Sequence, residues 1–123
     1  MEKVLEKRFL VTDDMSAAKI GSGSVPVLSS PSLVALMEIT SMTWMLPLLD
    51  EDQTSVGVEF NLKHLAASEL GVTVRIVSKM VENDGRSYAF ELEAFDGELL
   101  VATATHKRFV VDEKRFMDKL MNR

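Results

Sequence analysis

Two residues that could carry acid–base chemistry stand out in this sequence, because both are expected to face the protein interior. The run PSLVALMEITSMTWMLPLL, Pro31–Leu49, contains a single charged side chain, Glu38. A carboxylate in so apolar a segment is costly to bury unless another group pairs with it. His64 ends the segment Val56–His64, where apolar residues alternate with polar ones as in a half-buried strand. A carboxylate beside an imidazole is a common acid–base pair, since each shifts the pKa of the other.

Both residues also have ordinary structural interpretations. Glu38 can form an ion pair or turn to solvent, and His64 can be an edge residue of its strand. From composition and spacing alone, these interpretations are favoured over catalysis by about three to one. The second histidine, His106, lies in THKRF on the last predicted strand, and we interpret it as structural. The other residues of its row are Ala102, Ala104, Arg108 and Val110.

The element that carries Glu38 is predicted to be a buried helix. Ser30 occupies the expected N-cap position and Pro31 the first helical position, while Pro47 ends the helix near Leu46. The run approaches the length of a membrane span, but a glutamate near its middle argues against one. A helix that is apolar on all sides is instead buried by other elements of a globular protein.

The rest of the chain is predicted to form a sheet. Alternating polarity indicates strands near Val4–Thr12, Val56–His64, Val72–Val81, Tyr88–Ala94 and Leu99–Val111. In the strand that ends at His64, the predicted inward row is Val56, Val58, Phe60 and Leu62. Two Asp-Gly turns join the last three strands into an antiparallel meander. Asp112 is expected to cap a short last helix with the apolar residues Phe116, Met117, Leu120 and Met121.

This order of elements predicts an α+β hotdog fold, a long central helix wrapped by a curved antiparallel β-sheet. A helix that is apolar all round needs a sheet around it and a further layer on its remaining side. We therefore expect a single domain over residues 1–123 and a homodimer or a higher oligomer.

The composition excludes several classes of function. The chain has no cysteine, so it has neither a disulfide framework nor a thiol nucleophile or cysteine metal site. A net charge of −5 without a basic stripe argues against a nucleic-acid partner. The start MEKVLEKRFLV lacks the apolar core of a signal peptide, which predicts a cytoplasmic protein.

The sequence resembles the fluoroacetyl-CoA thioesterase family of hotdog proteins. The resemblance rests on Ser30, on Glu38 in LVALME, and on VGVEFNLKHLAASELG, in which His64 begins the pattern His-x-Ala-Ala-Ser. The segments EKRF, DGR, FDG and THKRFVV extend the similarity over most of the chain.

The resemblance implies hydrolysis of an acyl-CoA thioester, with no cofactor beyond the coenzyme A that the substrate carries. It implies a catalytic set of Ser30, in place of the family's threonine, with Glu38 as nucleophile or base and His64 as general acid–base. Gly57 matches a glycine of the active-site strand, where a missing side chain lets the substrate approach the backbone. Arg108 matches a basic position that we assign to the phosphates of coenzyme A.

One part of the chain departs from the family pattern. The aromatic lid positions of the fluoroacetyl-specific members fall on Gly21 and Ser24, in the flexible polar loop Gly21–Pro26. We therefore expect another short-chain acyl group instead of fluoroacetyl. Two alternatives stay open: a non-catalytic acyl-CoA- or lipid-binding hotdog protein, and a hotdog hydratase or dehydratase, whose usual motif is not found here.

Overall fold

The computed structural model describes residues 4–123, which form one sheet, three α-helices and two short 3₁₀-helices. Strand β1 is followed by the short helix α1, the long helix α2, four further strands and the last helix α3. The bounds are β1 Val4–Leu10, α1 Ala17–Ile20, α2 Ser30–Met45, β2 Gln53–His64, β3 Thr73–Asn83, β4 Ser87–Asp96, β5 Leu99–Asp112 and α3 Glu113–Met121.

The five strands form an antiparallel sheet in the order β1-β3-β4-β5-β2. The predicted meander of β3, β4 and β5 is present, and its hairpins turn at Gly85 and Gly97. Both glycines have positive φ, 89° and 61°, a conformation that a side chain disfavours. Strand β2 pairs with β5 and lies at one edge of the sheet.

Helix α2 packs against β1, β2 and β3, and its inner side forms the core with the sheet. The core includes Leu33, Leu36, Met37 and Met45 from the helix and Val74, Ile76, Phe90 and Leu92 from the strands. On the outer side of the helix, the apolar residues Ala35 and Ile39 are exposed. The helix is therefore only partly covered by its own sheet. No helix between residues 4 and 123 is long and apolar enough to cross a membrane.

The start of α2 differs from the prediction by one residue. Ser29, not Ser30, is the N-cap, and its Oγ accepts a hydrogen bond from the backbone N–H of Ser32 at 3.1 Å. The predicted N-cap was therefore wrong. Because Ser29 provides the cap, the hydroxyl of Ser30 is left for another contact.

Strand β2 contains an irregularity that its alternating sequence does not predict. The register with β5 shifts between Gly57 and Glu59, as in a β-bulge. The first half of the predicted inward row was therefore wrong, and Val58 is 48% exposed. The bulge changes which positions of β2 lie on the helix side of the sheet: Ser55 and Gly57 before it, and Phe60, Leu62 and His64 after it.

Two short helices, α1 and α3, lie near the two ends of the chain. Asp112 caps α3 as predicted, because its Oδ1 accepts a hydrogen bond from the backbone N–H of Arg115 at 2.9 Å. The loop between α1 and α2 is exposed at Gly21–Pro26, in agreement with its polar composition. Helix α1 itself was not predicted; its four residues are capped by the side chain of Ser16.

Candidate active site

The first part of the candidate site joins the start of α2 to the end of β2. The Oγ atom of Ser30 lies 2.7 Å from Nδ1 of His64, a hydrogen bond in which either atom can donate. Burial lowers the pKa of His64 below its ordinary value, and the backbone carbonyl of Ala66 opposes this shift in part; the net direction favours the neutral imidazole near pH 7. The other ring nitrogen, Nε2, is buried and has no hydrogen-bond partner within the described residues. Nε2 is therefore the nitrogen left for chemistry.

The second part surrounds Glu38, about two helical turns further along α2. Its Oε2 atom lies 3.6 Å from Nη1 of Arg108. Gly57 packs directly against the same carboxylate, since a Cβ atom added there would lie 2.7 Å from Oε2. The missing side chain of Gly57 thus makes room for the carboxylate of Glu38, whereas the family resemblance implied room for the substrate.

The guanidinium of Arg108 is held by other protein groups. Its Nε donates to the hydroxyl of Ser55 at 2.9 Å, and its Nη2 donates to the Ser55 carbonyl at 3.1 Å. Its Nη1 lies 3.2 Å from Nε2 of His106. Burial lowers the pKa of Arg108, and the negative charge of Glu38 opposes that shift.

This environment does not fit the predicted role of Arg108 at the coenzyme A phosphates. The residue is only 6% exposed, and its donors are directed at Ser55, His106 and Glu38. A phosphate arriving from solvent would need an open face of the guanidinium. We therefore reassign Arg108 to the carboxylate of Glu38.

The two parts of the site lie apart within one chain. Ser30 and Glu38 are separated by ~12 Å along the helix axis, because eight residues rise about 1.5 Å each. Along β2, Gly57 and His64 are roughly 20 Å apart at the spacing of an extended strand. Among residues 4–123, no hydrogen bond or ion pair joins Glu38 to His64. A single chain thus brings Ser30 to His64, and separately brings Glu38 to Gly57 and Arg108.

Two residues of the second part were not predicted as site residues. His106 is 1% exposed and contacts Arg108, and Ser55 holds the same guanidinium. The sequence contained a signal for His106, because THKR puts the polar side chains of His106 and Arg108 on the inward row of a strand. Polar groups in such a row need partners in the interior. Ser55 gave no such signal, because it precedes the predicted start of its strand.

Comparison with known proteins identifies the family. The family model described as "FlK: Fluoroacetyl-CoA-specific thioesterase" matches residues 11–114. The fluoroacetyl-CoA thioesterase of Streptantibioticus cattleyicolor is 29% identical over 94 residues, which are 76% of this chain and 68% of that protein.

Solved structures show the same fold. A mutant of the fluoroacetyl-CoA thioesterase FlK with serine in place of a threonine, in complex with acetyl-CoA, is 24% identical with a TM-score of 0.92. The match covers 98% of this chain and 96% of that one. A hot-dog-like protein from Thermanaerovibrio acidaminovorans is 19% identical with a TM-score of 0.89, over 98% of this chain and 90% of that one.

These similarities confirm the predicted α+β hotdog fold and the predicted enzyme class, a thioesterase acting on acyl-CoA thioesters. The family match spans most of the chain and includes Ser30, Glu38 and His64. The chain belongs to the family of fluoroacetyl-CoA-specific thioesterases.

Proposed function

We propose that two copies of this chain form a homodimer that hydrolyses short-chain acyl-CoA thioesters at two sites shared between the subunits. The supporting observation is the separation of the site into two parts. Ser30, at the start of α2, is bonded to His64 at the end of β2, whereas Glu38 lies beside Gly57, which precedes His64 by seven residues in the strand. Pairing of β2 with its own copy around a two-fold axis would bring opposite ends of the strand together.

Strand β2 is suited to such pairing. It is 12 residues long and lies at the edge of the sheet, and a long edge strand is a template for another strand. With the two-fold axis at Asn61, Glu59 would lie opposite Lys63 of the partner subunit, and Phe60 opposite the partner's Leu62. Both contacts would occur twice by symmetry, and cross-strand pairs of opposite charge or of apolar side chains stabilise a register.

The same register would complete the site. His64 would lie opposite Val58 of the partner subunit, next to the partner's Gly57 and so close to the partner's Glu38. This arrangement accounts for the buried Nε2 of His64, which has no partner within residues 4–123 of one chain. It also gives the exposed apolar residues on the outer side of α2 a neighbouring subunit.

The proposed chemistry assigns one role to each group. The carboxylate of Glu38 attacks the thioester carbonyl and forms a mixed anhydride that water then hydrolyses, or it removes a proton from the water that attacks the carbonyl directly. When the carbon–sulfur bond breaks, the imidazolium form of His64 transfers its Nε2 proton to the sulfur of coenzyme A and becomes the neutral imidazole. The proton released by the water that is consumed in the hydrolysis restores the cation. Ser30 holds Nδ1 of His64, so proton transfer occurs at Nε2. The positive charge of Arg108 fixes Glu38 and stabilises negative charge that develops nearby.

The substrate we propose is an acyl-CoA with a short acyl group other than fluoroacetyl. Gly21 and Ser24, at the aromatic lid positions inferred from the resemblance, lie in an exposed loop. The structure of the serine-for-threonine FlK mutant with acetyl-CoA supports a CoA ester as the ligand of this fold. A cytoplasmic location stays a prediction from the sequence.

The experiment measures thiol release from a panel of short acyl-CoAs with a thiol-reactive dye. We expect Glu38→Gln and His64→Ala each to lower kcat by about 10²–10⁴-fold, the typical effect of losing an acid–base group. A single turnover in ¹⁸O water tests for a nucleophilic Glu38. Label in the Glu38 carboxylate would identify a nucleophile, because it requires water to attack the glutamyl carbonyl of a mixed anhydride, whereas a base never becomes labelled.

Co-expression of the two variants with different affinity tags tests the shared site. A purified heterodimer would contain one intact pair, His64 of the first chain with Glu38 of the second, and should recover about half of the wild-type kcat. A heterodimer as inactive as its parents would contradict the shared site. Binding of acyl-CoA by the wild type without thiol release would support the non-catalytic alternative instead.

A further inference from the structure

We infer that His106 is a positioning residue, a neutral imidazole with its proton on Nδ1 that orients Arg108 and, through it, Glu38. The inference rests on the proposed function, because it concerns the carboxylate that the proposal places at the thioester. It goes beyond that proposal by giving a role in the reaction to a histidine that is not expected to touch the substrate.

The hydrogen bonds of His106 define its tautomer. Its Nδ1 lies 2.9 Å from the carbonyl oxygen of Glu59. A carbonyl oxygen can only accept, so Nδ1 carries the hydrogen. Its Nε2 lies 3.2 Å from Nη1 of Arg108, and a guanidinium can only donate, so Nε2 must be the unprotonated acceptor. The two contacts require the same neutral form.

The ring of His106 is also fixed by packing. The residue is 1% exposed, and its ring centroid lies 4.8 Å from that of Phe60 and 6.3 Å from that of Phe90. The Glu59 carbonyl comes directly after the shift in the β2 register. The bulge thus supplies an acceptor that anchors the ring, and the anchored ring presents Nε2 to Arg108.

Orientation of Arg108 matters because its contact with Glu38 is long. The 3.6 Å between Nη1 and Oε2 exceeds hydrogen-bond distance, so the two groups interact mainly as charges. The two hydrogens of Nη1 lie in the plane of the guanidinium. When His106 accepts one of them, the orientation of that plane is set relative to Glu38.

The surrounding charges are consistent with a neutral His106. Burial lowers its pKa, the hydrogen bond to the Glu59 carbonyl opposes this, Arg108 lowers it further, and Glu38 raises it. The charged groups that face the ring are Glu38 from α2 and Arg108 from β5, while β2 and β4 contribute Phe60 and Phe90. Protonation would place a second cation against Arg108 and remove the acceptor of its Nη1.

Two amide substitutions distinguish the contacts made by the two ring nitrogens of His106. The side chain of His106→Gln reaches the position of Nε2 and can still accept from Arg108. The side chain of His106→Asn reaches only the position of Nδ1, so it can donate to Glu59 but leaves Arg108 without its acceptor. We expect His106→Asn to lower kcat by about tenfold to a hundredfold with little change in KM, since small displacements at a reaction centre have effects of this size. His106→Gln should recover most of that loss.

A purely structural role would give a different result. In that case the two variants would lose activity in proportion to their thermal stability, with no advantage for glutamine. Equal kcat values for the asparagine and glutamine variants at equal stability would overturn the inference.

A second measurement uses the wild-type protein without substrate. ¹⁵N NMR of the histidine rings should show His106 neutral at pH 7, with the proton on Nδ1. The Nε2–H tautomer or a cation would contradict the inference, whatever the activity. Failure of the proposed function can be distinguished from failure of this inference. Full activity of Glu38→Gln would refute the proposed function, but it would leave the tautomer of His106 unchanged.

Discussion

The hydroxyl of Ser30 lies 2.7 Å from Nδ1 of His64, while the adjacent Ser29 caps the helix that begins at Ser30. Two neighbouring residues of the same type therefore have separate roles at the start of α2. One hydroxyl satisfies a backbone N–H of the helix, and the other orients the imidazole that we propose as acid–base catalyst. This division allows stability and catalysis to be tested independently.

Alanine substitution of each serine should affect a different property. Ser30→Ala is expected to lower kcat by about tenfold or more, because His64 loses the group that orients it. Ser29→Ala should reduce the free energy of unfolding by about 1 kcal/mol, the usual effect of losing an N-cap, with kcat unchanged. Ser30→Thr keeps the hydroxyl and serves as the matched control. Thiol-release kinetics and thermal denaturation measure the two effects; unchanged kcat in Ser30→Ala would contradict the role of Ser30.

Substitution of Gly57 should displace the Glu38 carboxylate without unfolding the protein. In Gly57→Ala the new Cβ would lie 2.7 Å from Oε2 of Glu38 and 3.2 Å from Cε1 of His106. The end of the flexible glutamate side chain can move away, and the ring of His106 has to give by only a few tenths of an ångström. We therefore expect kcat to fall by about tenfold to a hundredfold, while the melting temperature stays near that of the wild type.

A double-mutant cycle tests the cause of that loss. In a Glu38→Gln background the catalytic carboxylate is already absent, so Gly57→Ala should reduce kcat little further. Additive losses in the double variant would show that Gly57 acts by another route, such as access of the substrate to the backbone.

The features of the fold and of the candidate site that could be predicted from the sequence are those that depend on residues close together in the chain. The buried helix, the strands and the inward direction of His64 follow from local periodicity. The cap at Ser29 does not, because Ser29 and Ser30 have the same local chemistry. The bulge near Gly57 could not be predicted either, because the alternation of apolar and polar residues continues through it without a break.

The contacts of Glu38 depend on which elements pack together. Its ion pair with Arg108 spans 70 residues of sequence and crosses from α2 to β5. Periodicity indicates which face of a strand is buried but not which residue lies opposite. The sequence therefore predicted Glu38 and His64 as a pair, whereas one chain holds them apart.

Charge reversal tests the proposed pairing of β2 with its copy. Lys63→Glu would place two carboxylates opposite each other twice per dimer, while its neighbour across β5 is the neutral Thr103. At up to about 1 kcal/mol for each cross-strand pair, the dimer dissociation constant should rise by roughly tenfold or more. Sedimentation measures that constant.

The double variant Glu59→Lys/Lys63→Glu exchanges the two charges and is the control for this prediction. Because Glu59 pairs with Lys107 across β5, both variants are compared in a Lys107→Gln background, which avoids a like-charge pair within the chain. It should restore tight association, because each lysine again lies opposite a glutamate of the partner subunit. If the double variant dissociates at least as readily as Lys63→Glu, the two-fold axis does not lie at Asn61.

The acyl preference should be broad. Because Gly21 and Ser24 provide no aromatic surface at the lid positions that the resemblance implies, we expect fluoroacetyl-CoA and acetyl-CoA to have kcat/KM values within about tenfold of each other, a difference of about 1.4 kcal/mol in transition-state binding. Steady-state thiol release with both substrates measures this ratio. A strong preference for fluoroacetyl-CoA would show that the selectivity comes from residues outside the loop.

The stability of the protein should fall on mild acidification, because of its two histidines. Burial lowers the pKa of both His64 and His106, whereas in the unfolded chain both titrate near their ordinary value of 6.5. Below that value the unfolded state binds protons that the folded state does not, so the free energy of unfolding decreases as the pH falls. Melting temperatures between about pH 7.5 and about pH 5 measure the effect before most carboxylates titrate. His106→Gln removes one of the two groups and keeps an acceptor for Arg108, so its melting temperature should fall less than that of the wild type over this range; an equal fall would mean that His106 does not contribute.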